Sequence, residues 1–387
     1  MAIDELKART SDASVVARCR LEDRITRSEA QQEDVLRKVM EHTIVDKLVA
    51  PNSLHFDYFL NGGLHLQLDQ WSHIHRHAMG QMADVSGLTR TYMRRLVLEG
   101  VAGIPNEEAW MHALLAYNFN TLFTETKFVD RKGKPKRYLL RMVNQQIRGF
   151  LSQNYNRKLV TAPLLRSFIE NCRMHGAGPV ETTASDVRVR VKYMLPHVFE
   201  PVDGEFVAFG VTFGNSDFGA GRLSVSGTVQ RITSGTTAVL SDKYSRTHLG
   251  SVIQDSDIEM SKETADKELD TVRSAIGDTV NGLLGEEAIM RSIKIIQLAH
   301  EKEIPWYKLK QQIGSLLGKE DVSLLEHMLY GGASVIDLPP LDMANSDDGK
   351  SPTAWWAANA VGTFADKTED PDRKSALQNL AGTLIKG

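Results

Sequence analysis

The chain has 387 residues, 42% hydrophobic and 25% charged, a balance that excludes a wholly disordered chain and allows more than one packed unit. No apolar run approaches the roughly 18 residues that a bilayer-spanning helix needs. The stretch from Met1 to Ser14 has mixed charge and no apolar core, so it does not read as a secretory leader. Cys19 and Cys172 are the only cysteines, which argues against a disulfide framework and for a reducing compartment, the cytoplasm of a cell.

The formal net charge of −3 conceals an uneven distribution. Between Lys127 and Lys192 stand fifteen Lys or Arg against four Asp or Glu, a local excess of +11. The rest of the chain must then carry −14, much of it after residue 255. Asymmetry of this size directs the tract toward polyanions.

In chain order, Ser14 to Lys47 is rich in Glu, Arg, Gln and Leu without Gly or Pro, and predicts one or two polar helices. A second helical stretch is expected from Gln70 to Leu98, with Gly100 as its C-cap, and Asn106 can cap a third. Thr121 to Val129 then reads as a strand, 130–136 as a turn carrying Gly133 and Pro135, and Arg137 as the start of the returning strand. Leu164 to Met174 is an amphipathic helix. Val187 to Val198 is a strand in which Val187, Val189 and Val191 point one way and Arg188, Arg190 and Lys192 the other. Two further strands, Glu205 to Phe213 and Arg222 to Thr233, flank the turn GNSDFGAG. Helices follow from Ser251 to Gly331. Leu338 to Pro352 reads as a linker, and a last helix holds Trp355, Trp356, Asn359 and Phe364.

The expected fold is therefore α+β, a central antiparallel sheet of order β-β-α-β-β-β flanked by N-terminal and C-terminal helical regions. The segments are a helical arm over 1–69, a helical region over 70–120, the basic core over 121–250, an acidic and amphipathic helical region over 251–337, and a linker with a terminal helix over 338–387.

The basic core supplies the candidate site. Alternate residues of a strand stand about 7 Å apart, close to the phosphate spacing of an extended single strand. Arg188, Arg190 and Lys192 would form one such row, joined by Arg137 and Arg141 of the hairpin and by Arg131, Lys132, Lys134 and Lys136 of its turn. Arg148, Tyr155, Arg157 and Lys158 follow, the tyrosine offering a stacking surface. The competing reading of any one charge run is a solvated face.

Other constellations carry less. His73, His75 and His77 alternate, but in a helical pattern the middle one falls on another face, so no metal site is expected. Cys172 and His175 offer half a site at most, and a buried thiol is the plainer reading. The GNSDFGAG turn lies between strands, with no helix to cradle a phosphate, and its Asp217 reads as a turn-former. For a nuclease, Asp217, Asp255 and Asp257 are the only loose candidates. No catalytic motif is present, and neither an enzyme nor a cofactor is expected.

Several short motifs resemble a known family. RGFLSQNYNRKL (Arg148 to Leu159), the strand ending in PHVFEP, the NSDFG turn, RLSVSGTVQRITSG, His248 and TAWWAANAVGTFADKT are similar to elements of the phage and plasmid proteins grouped as domain of unknown function 932. The chain departs from that pattern at Gly362 and Phe364, where the family shows Thr-Glu-Tyr, and at Lys367, where it commonly has His. Thr233-Ser234-Gly235 replaces a Cys-Asn-Gly. The resemblance implies a phage or mobile-element origin among replication and recombination genes, and no established activity. The coarse element order is also similar to Rad52-like single-strand annealing proteins, which assemble as rings. The functional expectation is a protein that binds nucleic acid, single-stranded DNA above all, as a homo-oligomer without a membrane. The alternative is an oligomeric phage interaction factor that binds no nucleic acid.

Overall fold

The computed structural model describes residues 11–59, 63–94, 107–124, 128, 136–155, 159–248, 262–314, 317, 322–323, 325, 352–368 and 371–386. Helix α1 (Asp12–Glu41) opens on a capping box in which Ser11 and Ser14 satisfy each other's backbone amides. Its buried positions, Ala17, Leu21, Ser28, Gln32 and Val39, recur at intervals that keep one stripe facing inward.

Two packed halves follow. In the first, β1 (Ile44–Val49), β5 (Tyr138–Val143) and β6 (Gln146–Ser152) form one antiparallel sheet, and β2 (Phe56–Phe59), β3 (Gly63–Gln67) and β4 (Trp71–His73) a second. Helices α2 (Arg76–Ser86), α3 (Arg90–Arg94) and α4 (Glu107–Leu122) accompany them. Phe56, Leu66, Met82, Phe119, Phe123 and Phe150 fill the shared core. A parallel bridge between Ile74 and Ile147 joins the two sheets.

In the second half, β7 (Gly178–Ala184), β8 (Val189–Met194), β9 (Val207–Asn215), β10 (Leu223–Arg231) and β11 (Thr237–Arg246) lie side by side in sequence order as an antiparallel meander. One face, with Val191, Tyr193, Phe209, Val211, Phe213 and Val225, packs on α5 (Thr161–Met174) and α6 (Lys262–Leu284). Phe168 of α5 meets Tyr193 edge-on and Phe213 at a tilt, with ring centroids 5.8 and 5.3 Å apart. The opposite face is shared: α1 covers it at β7, Met194 and Ala208, while α9 (Ala354–Asp366) and α10 (Pro371–Lys386) cover it at β11. Helices α7 (Glu286–Glu301) and α8 (Trp306–Gly314) complete the shell. The fold is α+β with antiparallel sheets and helices at both ends. Among the described residues, no helix is long and apolar enough to cross a membrane.

Several elements differ from those expected. Helix α4 runs through Leu122, so Thr121 and Leu122 are helical where the sequence predicts a strand. The hairpin is instead β5–β6, turning at Asn144 and Gln145, both with positive φ (49° and 63°) as a two-residue primed turn requires. Four strands, β1 to β4, occupy 44–73, most of which read as part of the helical arm. Strands β7 and β11 add two edges to the sheet, so it has five strands rather than three after α5.

Candidate functional site

The alternation on β8 is as the sequence indicates, but the cationic face is not open. Lys192 is 2% exposed, and its Nζ donates to Glu181 Oε2 at 2.6 Å and to Thr237 Oγ1 at 3.1 Å. Lys374 of α10 donates to the other oxygen of Glu181 at 3.1 Å. Burial alone would raise the Glu181 carboxyl, but Lys192 and then Lys374 outweigh it and hold it well below the usual carboxylate range. Arg190 donates from Nη2 to Gln378 Oε1 of α10 at 2.8 Å.

Arg141, Arg148 and Tyr155 are interior too. Arg141 is 2% exposed, donates from Nε to Asp46 Oδ1 at 2.9 Å and from Nη1 to the Asp217 carbonyl at 2.8 Å, and lies over the Tyr155 ring. The Tyr155 hydroxyl donates to the Ser216 carbonyl at 2.9 Å, and its ring stacks on His248. Arg148 donates to Gln146 and to the Asp186 carbonyl. Gln81 Nε2 donates to the Phe218 carbonyl at 2.9 Å, and Asp217 Oδ1 accepts from the Thr161 amide at 2.8 Å. The NSDFG turn and Asp186 of the β7–β8 connection thus form the joint at which the two halves of the molecule meet, Arg141 pairing with the first and Arg148 with the second. A strand laid on the surface does not reach them. Lys136 and Arg137 are exposed just before β5. Arg131, Lys132, Lys134, Arg157 and Lys158 lie outside the described residues.

What remains accessible on the polar face is a cleft of about 110 Å³ between the sheet and α10. Its floor is made by the register. Arg190 faces Gly214, and Gly214 faces Ser224, so a side chain is missing at the centre and short ones stand around it. Thr212 and Ser226, also paired, continue the floor, and Ser375 and Asn379, one turn apart on α10, form the roof. Strands β8 and β10 run the same way on either side of β9, so Arg188 and Arg222, at their starts, lie at the same end of the sheet. Three guanidiniums and several hydroxyls converge, and no Asp or Glu lines the cleft among the described residues. Burial lowers the Arg190 guanidinium below its ordinary value; Glu181 opposes this and Arg188 adds to it. Asp366 opposes the lowering as Glu181 does, and an arginine stays charged despite such a shift, so Arg190 presents a full positive charge at the cleft. Paired planar forks with neighbouring hydroxyls suit an oxyanion with several acceptor oxygens.

Thr212, Arg222, Ser224, Ser226, Ser375 and Asn379 are the polar cleft residues that the sequence reading missed. The signal for three of them was present, since Arg222, Ser224, Ser226 and Thr228 repeat with period two, as Arg188 and Arg190 do. Among the described residues no group of three or more His, Cys, Asp or Glu could hold a metal ion: His73 ends β4, His75 caps α2 and His77 lies within α2. Cys172 is fully buried, and burial raises its thiol well above the ordinary value. Comparison with protein-family models, curated proteins and solved structures gave no match.

Proposed function

We propose that the protein binds single-stranded nucleic acid through its phosphates, with the cleft of Arg188, Arg190 and Arg222 as the principal contact. The observation that carries this reading is the cleft itself, three guanidiniums and four serine or threonine hydroxyls converging with no carboxylate among the described lining residues. Guanidinium forks match phosphate oxygens two at a time, and the neighbouring hydroxyls can donate to oxygens the forks leave open. Contacts confined to the backbone position a strand without reading its bases, so the bases stay free to pair. Lys136 and Arg137, both exposed just before β5, add positive charge elsewhere on the surface. The motif resemblance from Arg148 onward supports a phage or mobile-element setting, in which annealing of complementary strands is the activity that free bases would serve.

The test is fluorescence polarisation with short labelled oligonucleotides, single-stranded and duplex, at low and moderate salt. The reading expects single strands to bind and the affinity to fall steeply with salt. Absence of binding to any oligonucleotide at low salt would overturn it.

A further inference from the structure

We infer that the cleft takes a dianionic phosphomonoester, presented as the phosphorylated end of a strand rather than as a phosphodiester within it. The end-of-strand source rests on the nucleic-acid reading above; the phosphomonoester chemistry rests on the cleft alone.

Three features carry the inference. The first is charge. Arg188, Arg190 and Arg222 all line one small cleft. A phosphodiester offers one negative charge and two unesterified oxygens, whereas a phosphomonoester carries about −1.5 to −2 near neutral pH with three such oxygens. Three guanidiniums around one group are better matched by the monoester.

The second is size. At about 110 Å³ the cleft is well below the roughly 300–1,000 Å³ of drug-sized ligand pockets. It has room for one phosphate and its nearest substituent, not for a run of backbone.

The third is closure. Helix α10 is seated on β11 so closely at Gly382 that a Cβ there would fall inside the contact radius of the Val239 carbonyl oxygen. Val239 itself lines the cleft, so on the β11 side the floor and the roof meet. A phosphate that enters past Arg188 and Arg222 therefore meets a closed wall on the β11 side, which suits the end of a strand better than its middle. The Arg190–Gln378 hydrogen bond holds the roof in place above the anion.

The experiment uses the full chain and one oligonucleotide sequence in three forms: 5′-phosphorylated, 3′-phosphorylated, and with hydroxyls at both ends. Affinities are measured by polarisation, with inorganic phosphate as competitor, for the wild type, Arg222→Gln and Ser375→Asp. At least one terminally phosphorylated form is expected to bind about tenfold tighter than the hydroxyl form, the scale of one added charge-assisted contact. Inorganic phosphate should erase that preference. Both variants should bring the ratio near one, and because the ratio is internal to each protein it is insensitive to small losses of folding. Equal affinity for all three forms overturns the end-recognition inference and leaves the nucleic-acid reading standing. If no form binds, the nucleic-acid reading falls, and thermal denaturation with inorganic phosphate and a nucleoside monophosphate decides the remainder. A rise in Tm that Arg222→Gln abolishes supports a site for a small phosphomonoester, and no rise overturns the site.

Discussion

Arg190 and Lys192 stand two residues apart on β8 and serve opposite purposes. Lys192 is enclosed with Glu181, Lys374 and Thr237 and is part of the interior, whereas Arg190 reaches the cleft wall. The Glu181 carboxyl, burial notwithstanding, is held below its ordinary range by the two lysines. Its folded value lies below its unfolded one, so the stabilisation is complete above the unfolded value and is lost as pH falls toward the folded one. We therefore expect the stability gap between wild type and Glu181→Gln, measured by urea unfolding, to be constant above about pH 5 and to shrink progressively toward about pH 3. A gap that does not change across that range would contradict the ion-pair account. The alternation that puts Arg188, Arg190 and Lys192 on one face is plain in the sequence. What period two does not encode is the cover, since Lys374 and Gln378 come from a helix nearly two hundred residues further on. The same distance hides Ser375 and Asn379, and Arg222 falls outside the basic tract that drew attention first.

At the scale of elements, α10 is both a core helix and the roof of the cleft. Leu377, Ala381, Leu384 and Ile385 join the main hydrophobic cluster, while Ser375 and Asn379 face the polar floor. Gly382 marks the closest approach, against backbone that cannot swing aside. Gly382→Ala should cost about 1–3 kcal/mol in thermal or denaturant unfolding, as overpacking does, and should weaken oligonucleotide binding along with it. Gly282, in α6, is the control, because a methyl group there would meet nothing within 4 Å. Gly282→Ala should stabilise by about 0.5–1 kcal/mol, the usual helix-interior difference, and leave binding alone. A neutral Gly382→Ala would mean that α10 is not seated as described. Elements were legible in proportion to the strength of their local signals. The strands β8 to β10 and helices α1, α5 and α9 announce themselves by period. Strand β7 opens on Gly-Pro, which masks it, and the β5–β6 turn uses Asn144-Gln145 instead of a glycine. The aromatic and Thr-rich end of α4 imitates a strand until packing of Phe119 and Phe123 against Phe56 decides for the helix.

For the whole molecule, the described cations of the basic tract, taken together with Arg222 beyond it, divide into an internal and an external set. Arg141, Arg148 and Lys192 are absorbed by Asp46, Asp186 and Glu181, and secure the joint between the halves and the face beneath α10. Arg188, Arg190 and Arg222 converge on a cleft small enough to take one anionic group. Total charge therefore overstates the reach of the basic sheet, and the position of three arginines says more than the count of fifteen. The most direct measurement is the slope of log affinity against log salt for a single-stranded oligonucleotide, compared between wild type and the Arg188→Gln/Arg222→Gln double variant. Each phosphate neutralised contributes about 0.7 to that slope for single strands, so removing two of the cations around the one anionic group should weaken binding and flatten the slope by up to about 0.7. An unchanged slope, with the variant folded and binding as tightly as wild type, would place the contact elsewhere and contradict the cleft as the phosphate site.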